Sequence, residues 1–173
     1  GSIGAIDRLE KIKFDNCDTS TTDRPFFRIE YEPSLERIGG LGITGLGSLY
    51  IKNTRSLSNI DGVSSLTSIE NLTIRVTGLS SLSALSNLDS VDNLEIYGND
   101  QLTDLDDLLN LTSIRSLWLK FNGRLSNLDG LINVTEVRGD LKIESNDSLN
   151  NLDGLQSLER IGGLLRVIDN ISL

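Results

Sequence analysis

The sequence predicts a repeat solenoid, a chain winding round a central core and giving one short strand per turn. Three observations predict it. First, a pair of apolar residues two apart recurs in phase: Phe27/Ile29, Leu49/Ile51, Leu72/Ile74, Leu94/Ile96, Leu117/Leu119, Leu141/Ile143 and Leu165/Val167. By subtraction, the second members lie 22, 23, 22, 23, 24 and 24 residues apart. A period of two is that of a strand with one face buried. Second, each pair is followed by apolar residues in steps of three, such as Leu57, Ile60, Val63, Leu66, Ile69 and Leu79, Leu82, Leu85, Leu88, Val91. That step matches neither a helix nor a strand, so it suits a chain bending round a core. Third, a polar column stands three residues after each strand marker: Thr54, Thr77, Asn99, Asn122, Asn146 and Asn170.

Taken in order, residues 1–25 are the least regular. Ile6, Leu9, Ile12, Phe14 and Cys17 echo a turn, but Phe14 to Ile29 is too short for one, and the polar run Asp18 to Arg24 intervenes. The segment reads as an N-terminal cap or a degenerate turn, with solenoid turns over 26–173. In the first turn, Leu41, Ile43 and Leu46 offer an extra strand-like series before Leu49, which leaves the inward residues open. Later turns are regular: Leu102, Leu105, Leu108, Leu111, Ile114, then Leu125, Leu128, Leu131, Val134, Val137, then Leu149, Leu152, Leu155, Leu158, Ile161. Stacked turns form aliphatic columns, and no turn buries its core without neighbours. Asp61-Gly62, Asp129-Gly130 and Asp153-Gly154 are turn signatures. Arg37-Ile38-Gly39-Gly40 and Arg160-Ile161-Gly162-Gly163 read as another shared corner. In the polar column, a side-chain amide can bond backbone groups of the next turn and satisfy donors that a buried bend would orphan.

Composition narrows the function. The chain has 173 residues, 38% hydrophobic and 5% aromatic, with formal net charge −9 and no histidine. Nucleic acid and anionic membrane need basic patches and are not expected partners. No apolar run approaches the ~18 residues of a spanning helix, so no membrane insertion is expected. The single cysteine, Cys17, forms no internal disulfide and has no histidine to activate it. Gly1-Ser2 in a chain without methionine reads as the scar of a cleaved tag, so any leader or anchor is expected to lie outside this piece.

The run LxIxxNxxLxxLxGLxxL resembles the leucine-rich repeat superfamily. More narrowly, VTEVRGDLKIESNDSL and SLNNLDGLQSLERIGGLLRVIDNISL are similar to receptor L-domain repeats over roughly residues 27 to 173. The resemblance implies a right-handed, β-helix-like superhelix with a parallel sheet, short irregular or 3-10 connections and little α-helix. It also implies an extracellular, ligand-binding or adhesive role. Animal receptor versions are usually closed by disulfides, so a single cysteine points to a microbial surface protein.

In such a sheet the residue between each strand pair, and the one after it, face solvent. The first column is Arg28, Tyr50, Thr73, Glu95, Trp118, Lys142, Arg166, and the second Glu30, Lys52, Arg75, Tyr97, Lys120, Glu144, Ile168. The candidate ligand-binding face is Tyr50, Arg75, Glu95, Tyr97, Trp118, Lys120, Phe121 and Lys142. Aromatics there give contact area at low entropic cost, and charges give specificity. The alternative is an ordinary solvated sheet making cross-strand pairs. Asp61, Asp106, Asp129 and Asp153 stack at a corner, but calcium wants six to eight oxygens at one point, so these read as turn chemistry. Glu95 and Glu144 would stand roughly 9–10 Å apart, a spacing open to an inverting glycosidase, though Trp118 lies between them and no insertion builds a cleft. Asn71, Asn110, Asn133 and Asn170 head N-x-S/T triplets at near the chance rate. The expected function is non-catalytic recognition or adhesion, with no catalytic residues, metal or cofactor and with a protein or glycan ligand on another cell or in the matrix. A structural spacer of a larger adhesin, and a carbohydrate-active parallel β-helix enzyme, are the alternatives. Self-association through an open C-terminal end is the remaining partner expectation.

Overall fold

The structure, a computed structural model, describes residues 5–6 (backbone only), 26–39 and 44–173. It is a mostly parallel β-sheet with short 3-10 turns, and no α-helix occurs among the described residues. The strands are β1 (Ala5–Ile6), β2 (Phe26–Glu30), β3 (Arg37–Ile38), β4 (Gly45–Thr54), β5 (Ser68–Thr77), β6 (Ser90–Tyr97), β7 (Ser113–Lys120), β8 (Glu136–Val137), β9 (Leu141–Glu144), β10 (Arg160–Ile161) and β11 (Leu165–Ile168). Nine of them form one sheet in which every pair is parallel, and β1 and β3 form a separate parallel pair.

The register lines up the strand pairs read from the sequence. Ile29, Ile51, Ile74, Ile96, Leu119, Ile143 and Val167 stand side by side across seven strands. A parallel ladder requires the chain to return to its starting edge after each strand. The returns carry 3-10 turns at Asp61–Val63, Ser83–Leu85, Asp106–Leu108, Asp129–Leu131 and Asp153–Leu155. The triplet residues point inward from these returns and join the strand residues in one core, with Leu57, Leu66, Leu85, Leu105, Leu128, Val137 and their neighbours fully buried. Removing each such side chain from water contributes about 1.5–3 kcal/mol.

The last residue of each triplet series is more ordered than its spacing suggests. Leu46, Ile69, Val91, Ile114, Val137 and Ile161 form a second in-register ladder before the main one. In β4 to β7 the two ladders run together as long strands, whereas Arg138-Gly139-Asp140 separates β8 from β9. This settles the first turn: its inward residues are Leu46, Leu49 and Ile51. Residues 40–43, with Leu41 and Ile43, lie outside the described residues. It also corrects one expectation. Arg160-Ile161 shares its ladder with Leu46, whereas Arg37-Ile38 pairs with β1 and bonds beside the first 3-10 turn, where the Ile38 N–H donates to Asn59 O at 2.9 Å. The two Arg-Ile-Gly-Gly runs therefore form different corners. Of the N-terminal region, only the Ala5–Ile6 backbone is described, and Leu9, Ile12, Phe14 and Cys17 lie outside.

The polar column is buried and forms a ladder. The backbone N–H groups of Thr77, Asn99, Asn122 and Asn146 donate to Oδ1 of Asn99, Asn122, Asn146 and Asn170 at 2.9–3.1 Å. The Nδ2 groups of those four asparagines donate to the carbonyls of Ile74, Ile96, Leu119 and Ile143. The amides thus serve the preceding strand, where the next one was expected. The ladder thins at Thr54, whose buried Oγ1 has no hydrogen-bond partner. A second side-chain device sits at the 3-10 turns: the N–H groups of Asp61, Asp106, Asp129 and Asp153 donate to Asn59, Asp104, Asn127 and Asn151, each two residues back. These are Asx-turns made by the side chain two residues before the acidic row, and the row itself occupies the first position of each 3-10 turn. Among its members, Asp106 has its pKa raised, by burial first and then by the charges of Asp104, Asp129 and Asp107.

Between strand and polar column the chain passes through a left-handed residue in every unit: Tyr31, Asn53, Val76, Gly98, Phe121, Ser145 and Asp169, with φ between 53 and 65°. For a β-branched residue this conformation is strained, at a cost of roughly 1–3 kcal/mol. Val76→Asn, which copies Asn53 on the neighbouring strand, is expected to stabilise the protein by about 1 kcal/mol and raise the thermal midpoint by about 2–4 °C. An unchanged or lower midpoint in a calorimetric scan would count against strain at this position.

Candidate functional site

Strand alternation turns every second residue of the sheet outward, and the parallel register stacks those residues into columns. One column runs Arg28, Tyr50, Thr73, Glu95, Trp118, Lys142, Arg166, and the next runs Glu30, Lys52, Arg75, Tyr97, Lys120, Glu144, Ile168. All eight candidate residues lie on this face or at its margin. Trp118 is 38% exposed, on the face and not in the core. Phe121 is 49% exposed and sits at a left-handed position just after its strand.

Within the face, side chains gather into three groups. Around Tyr50, the Arg28 guanidinium and the Lys52 ammonium lie 5.1 and 5.2 Å from the ring centroid. Glu30 ties the same two cations together, 3.8 Å from Arg28 and 3.5 Å from Lys52. In the centre, Arg75 covers the Tyr97 ring at 4.0 Å and reaches Glu95 at 4.0 Å, and Tyr97 packs on Phe121 at 5.2 Å. In the third group Trp118 lies between Lys142 at 4.6 Å and Lys120 at 5.8 Å. Lys120 also pairs with Glu144 at 3.2 Å, and Arg166 approaches the same carboxylate oxygen at 3.5 Å. Exposed cation–π contacts contribute about 0.5–1 kcal/mol and surface ion pairs about 0–1 kcal/mol, so these networks orient the side chains more than they stabilise the fold. Tyr50 stands apart from the other candidates, with the Thr73 and Glu95 strands between it and Trp118.

Sequence reasoning missed a third outward column. Ser48, Asn71, Asn93 and Ser116 stand in register two residues before the first column, and Asp140 and Leu164 hold the matching positions further on. Extending the strand alternation one step back would have found them. Asn71 Nδ2 donates to Ser48 Oγ at 3.0 Å, and Asn93 Nδ2 donates to Asn71 Oδ1 at 2.9 Å. Asp140 takes the Lys142 ammonium at 2.7 Å. That hydrogen bond, followed by the one from the Leu164 N–H, holds the Asp140 carboxyl below its ordinary value. Between the columns runs a groove of about 250 Å³, with Tyr50 and Trp118 at its ends and Thr73, Glu95, Asn71 and Asn93 along it.

Asn146-Asp147-Ser148 is a fifth N-x-S/T triplet, and the amide nitrogens of all five asparagines are engaged, that of Asn146 by Leu119 O. Asn71 donates to Ser48, Asn110 to Ser86 O, Asn133 to Leu109 O and Asn170 to Ile143 O. Among the described residues no group of three or more Cys, Asp or Glu side chains is placed to hold a metal ion, and no helix is long and apolar enough to cross a membrane. No protein-family model, curated protein or solved structure matches the chain.

Proposed function

We propose that this chain is a right-handed, leucine-rich solenoid of the receptor L-domain type, acting as a non-catalytic recognition or adhesion module of a microbial cell-surface or secreted protein. Its ligand, a protein or glycan on another cell or in the matrix, docks on the sheet face around Tyr50, Arg75, Tyr97, Trp118, Lys120 and Lys142. One observation carries the reading: three adjacent outward columns of aromatic, charged and amide side chains stand on a sheet whose inward columns are aliphatic from β4 to β7. Exposed aromatics beside charged groups are what recognition surfaces present.

A second reading, a structural spacer, draws on the apolar side chains left open around β11. Leu164, Leu165 and Ile171 are 51, 55 and 80% exposed, a surface against which another unit or a second copy can pack. The glycosidase reading is weakened by the ion pairs of Glu144 with Lys120 and Arg166 and of Glu95 with Arg75. Both carboxylates are thus already engaged by cations of the same face.

Trp118 is the only tryptophan, so its emission reports on the face directly. The recognition reading expects Trp118→Ala to weaken binding to cells or matrix by about tenfold or more, with the thermal midpoint unchanged. A Trp118→Ala protein that binds as well as the parent would sink it and leave the spacer.

A further inference from the structure

The charge on this face runs against that of the chain. The whole protein has formal net charge −9, with 16 Lys and Arg against 25 Asp and Glu. The three outward columns carry six cations, Arg28, Lys52, Arg75, Lys120, Lys142 and Arg166, against the four carboxylates Glu30, Glu95, Asp140 and Glu144. The face is therefore net positive by two on a strongly acidic protein. Each of its four carboxylates already lies within 4.0 Å of a cation on the same face. Each of the six cations is likewise within 4.0 Å of one of these carboxylates, so what the face offers an anion is its net surplus of positive charge. An ammonium has three donors and can serve a carboxylate and a ligand together. A strip of this kind draws anions to itself while the rest of the surface repels them.

Shape narrows the class further. From Arg28 to Arg166 the strip crosses seven strands, about 29 Å at the strand spacing, and it is only three side chains wide. That is the outline of an extended polymer. The groove within it is about 250 Å³, below the ~300–1,000 Å³ of sites that engulf a whole drug-sized ligand. It has aromatic rings at both ends and hydroxyl-pairing groups along its length, at Thr73, Glu95, Asn71 and Asn93. A pyranose ring offers the matching surfaces, an apolar C–H face for an aromatic ring and an edge of hydroxyls for amides and carboxylates.

We propose that the ligand of this face is an acidic glycan of the uronic-acid type. It lies across the strands with one sugar in the groove between Tyr50 and Trp118. Its carboxylates meet Lys120 and Lys142 beside Trp118, and Arg28 and Lys52 beside Tyr50. This rests on the recognition reading above and adds the chemistry of the ligand.

The test is a titration of the protein with an oligogalacturonate, followed by Trp118 emission. Three probes of matched length run beside it: a neutral gluco-oligosaccharide, oligoglutamate and a single-stranded oligodeoxynucleotide. The uronate is expected to change Trp118 emission at saturation, to bind more weakly as salt rises, and to bind about tenfold or more tighter than any other probe. Lys142→Gln is expected to weaken it by about tenfold, while Arg138→Gln, whose side chain bonds Ser113 away from the strip, leaves it unchanged. Equal binding of oligoglutamate or the oligodeoxynucleotide overturns the proposal, because charge alone would then suffice. Equal binding of the neutral sugar overturns it too, as does absence of uronate binding. If Trp118→Ala abolishes cell or matrix binding while the uronate has no effect, recognition stands and the acidic-glycan class falls. If neither responds, both fall.

Discussion

Asn122→Leu is expected to remove about 3 kcal/mol of stability, although leucine fits the apolar surroundings. Asn122 is fully buried. Its Oδ1 accepts the Asn99 N–H at 3.0 Å, and its Nδ2 donates to Ile96 O at 3.0 Å and to Asn146 Oδ1 at 3.1 Å. Leucine leaves the Asn99 N–H buried with no acceptor and strips a donor from Ile96 and Asn146. Each orphaned group costs about 1–3 kcal/mol, while the added apolar burial returns about 2 kcal/mol at most. The loss also cuts a ladder that runs from Thr77 to Asn170, so the units on either side lose a shared link. Asn150 is exposed and outside the ladder, and Asn150→Ala is expected to stay within about 0.5 kcal/mol of the parent. Urea unfolding compares the two directly. A loss below about 1 kcal/mol in Asn122→Leu would show that the column is interchangeable with the aliphatic core.

The contrast between this ladder and the sheet face explains what could be read from the chain. Inward positions answer to one demand, exclusion of water, so Leu, Ile and Val mark them without ambiguity. The same holds for the Asn column, where only an amide offers an acceptor to one backbone group and a donor to another. The second ladder through Ile69, Val91 and Ile114 was hidden because its members continue the triplet step, and the step of three from Ile69 to Leu72 breaks the alternation within one long strand. The left-handed positions were hidden for a different reason. They are occupied by Tyr31, Asn53, Val76, Gly98, Phe121, Ser145 and Asp169, a set with no common chemistry. The ladder after them holds the conformation, so residue type is free to vary and leaves no signal.

The site was legible in its columns but not in its contacts. Alternation placed Trp118, Lys142 and Lys120 on one face, yet nothing in spacing says that Trp118 lies between the two ammonium groups. Rotamers decide that, and spacing does not specify them. Asp140 illustrates the gap. It sits at a corner between two short strands, two residues before Lys142 and on the same face, but only the folded register brings it to the Leu164 N–H.

The glycines of the 3-10 turns are the second place where one atom decides the outcome. Gly130 occupies the middle of the Asp129–Leu131 turn, stacked on the preceding turn of Asp106–Leu108. A Cβ built there falls on the carbonyl of Leu105 and within 3.0 Å of the Asp106 N–H nitrogen. Backbone cannot swing aside as a side chain can, so Gly130→Ala is expected to cost about 2–4 kcal/mol. Gly154→Ala meets the Leu128 carbonyl in the same way and is expected to match it. The equivalent positions in two other turns hold Ala84 and Asp107, so the turn itself accepts a side chain. The cost at Gly130 therefore lies in how closely its turn has settled onto Leu105. Gly123→Ala supplies the comparison, since its nearest neighbour would be Asp100 Oδ1 at 4.0 Å, and it is expected to change stability by less than about 0.5 kcal/mol. If Gly130→Ala unfolds at the same urea concentration as Gly123→Ala, the turns are not closely stacked. The bending corner would then be compliant, and the rigidity of the sheet face would rest on the asparagine ladder alone.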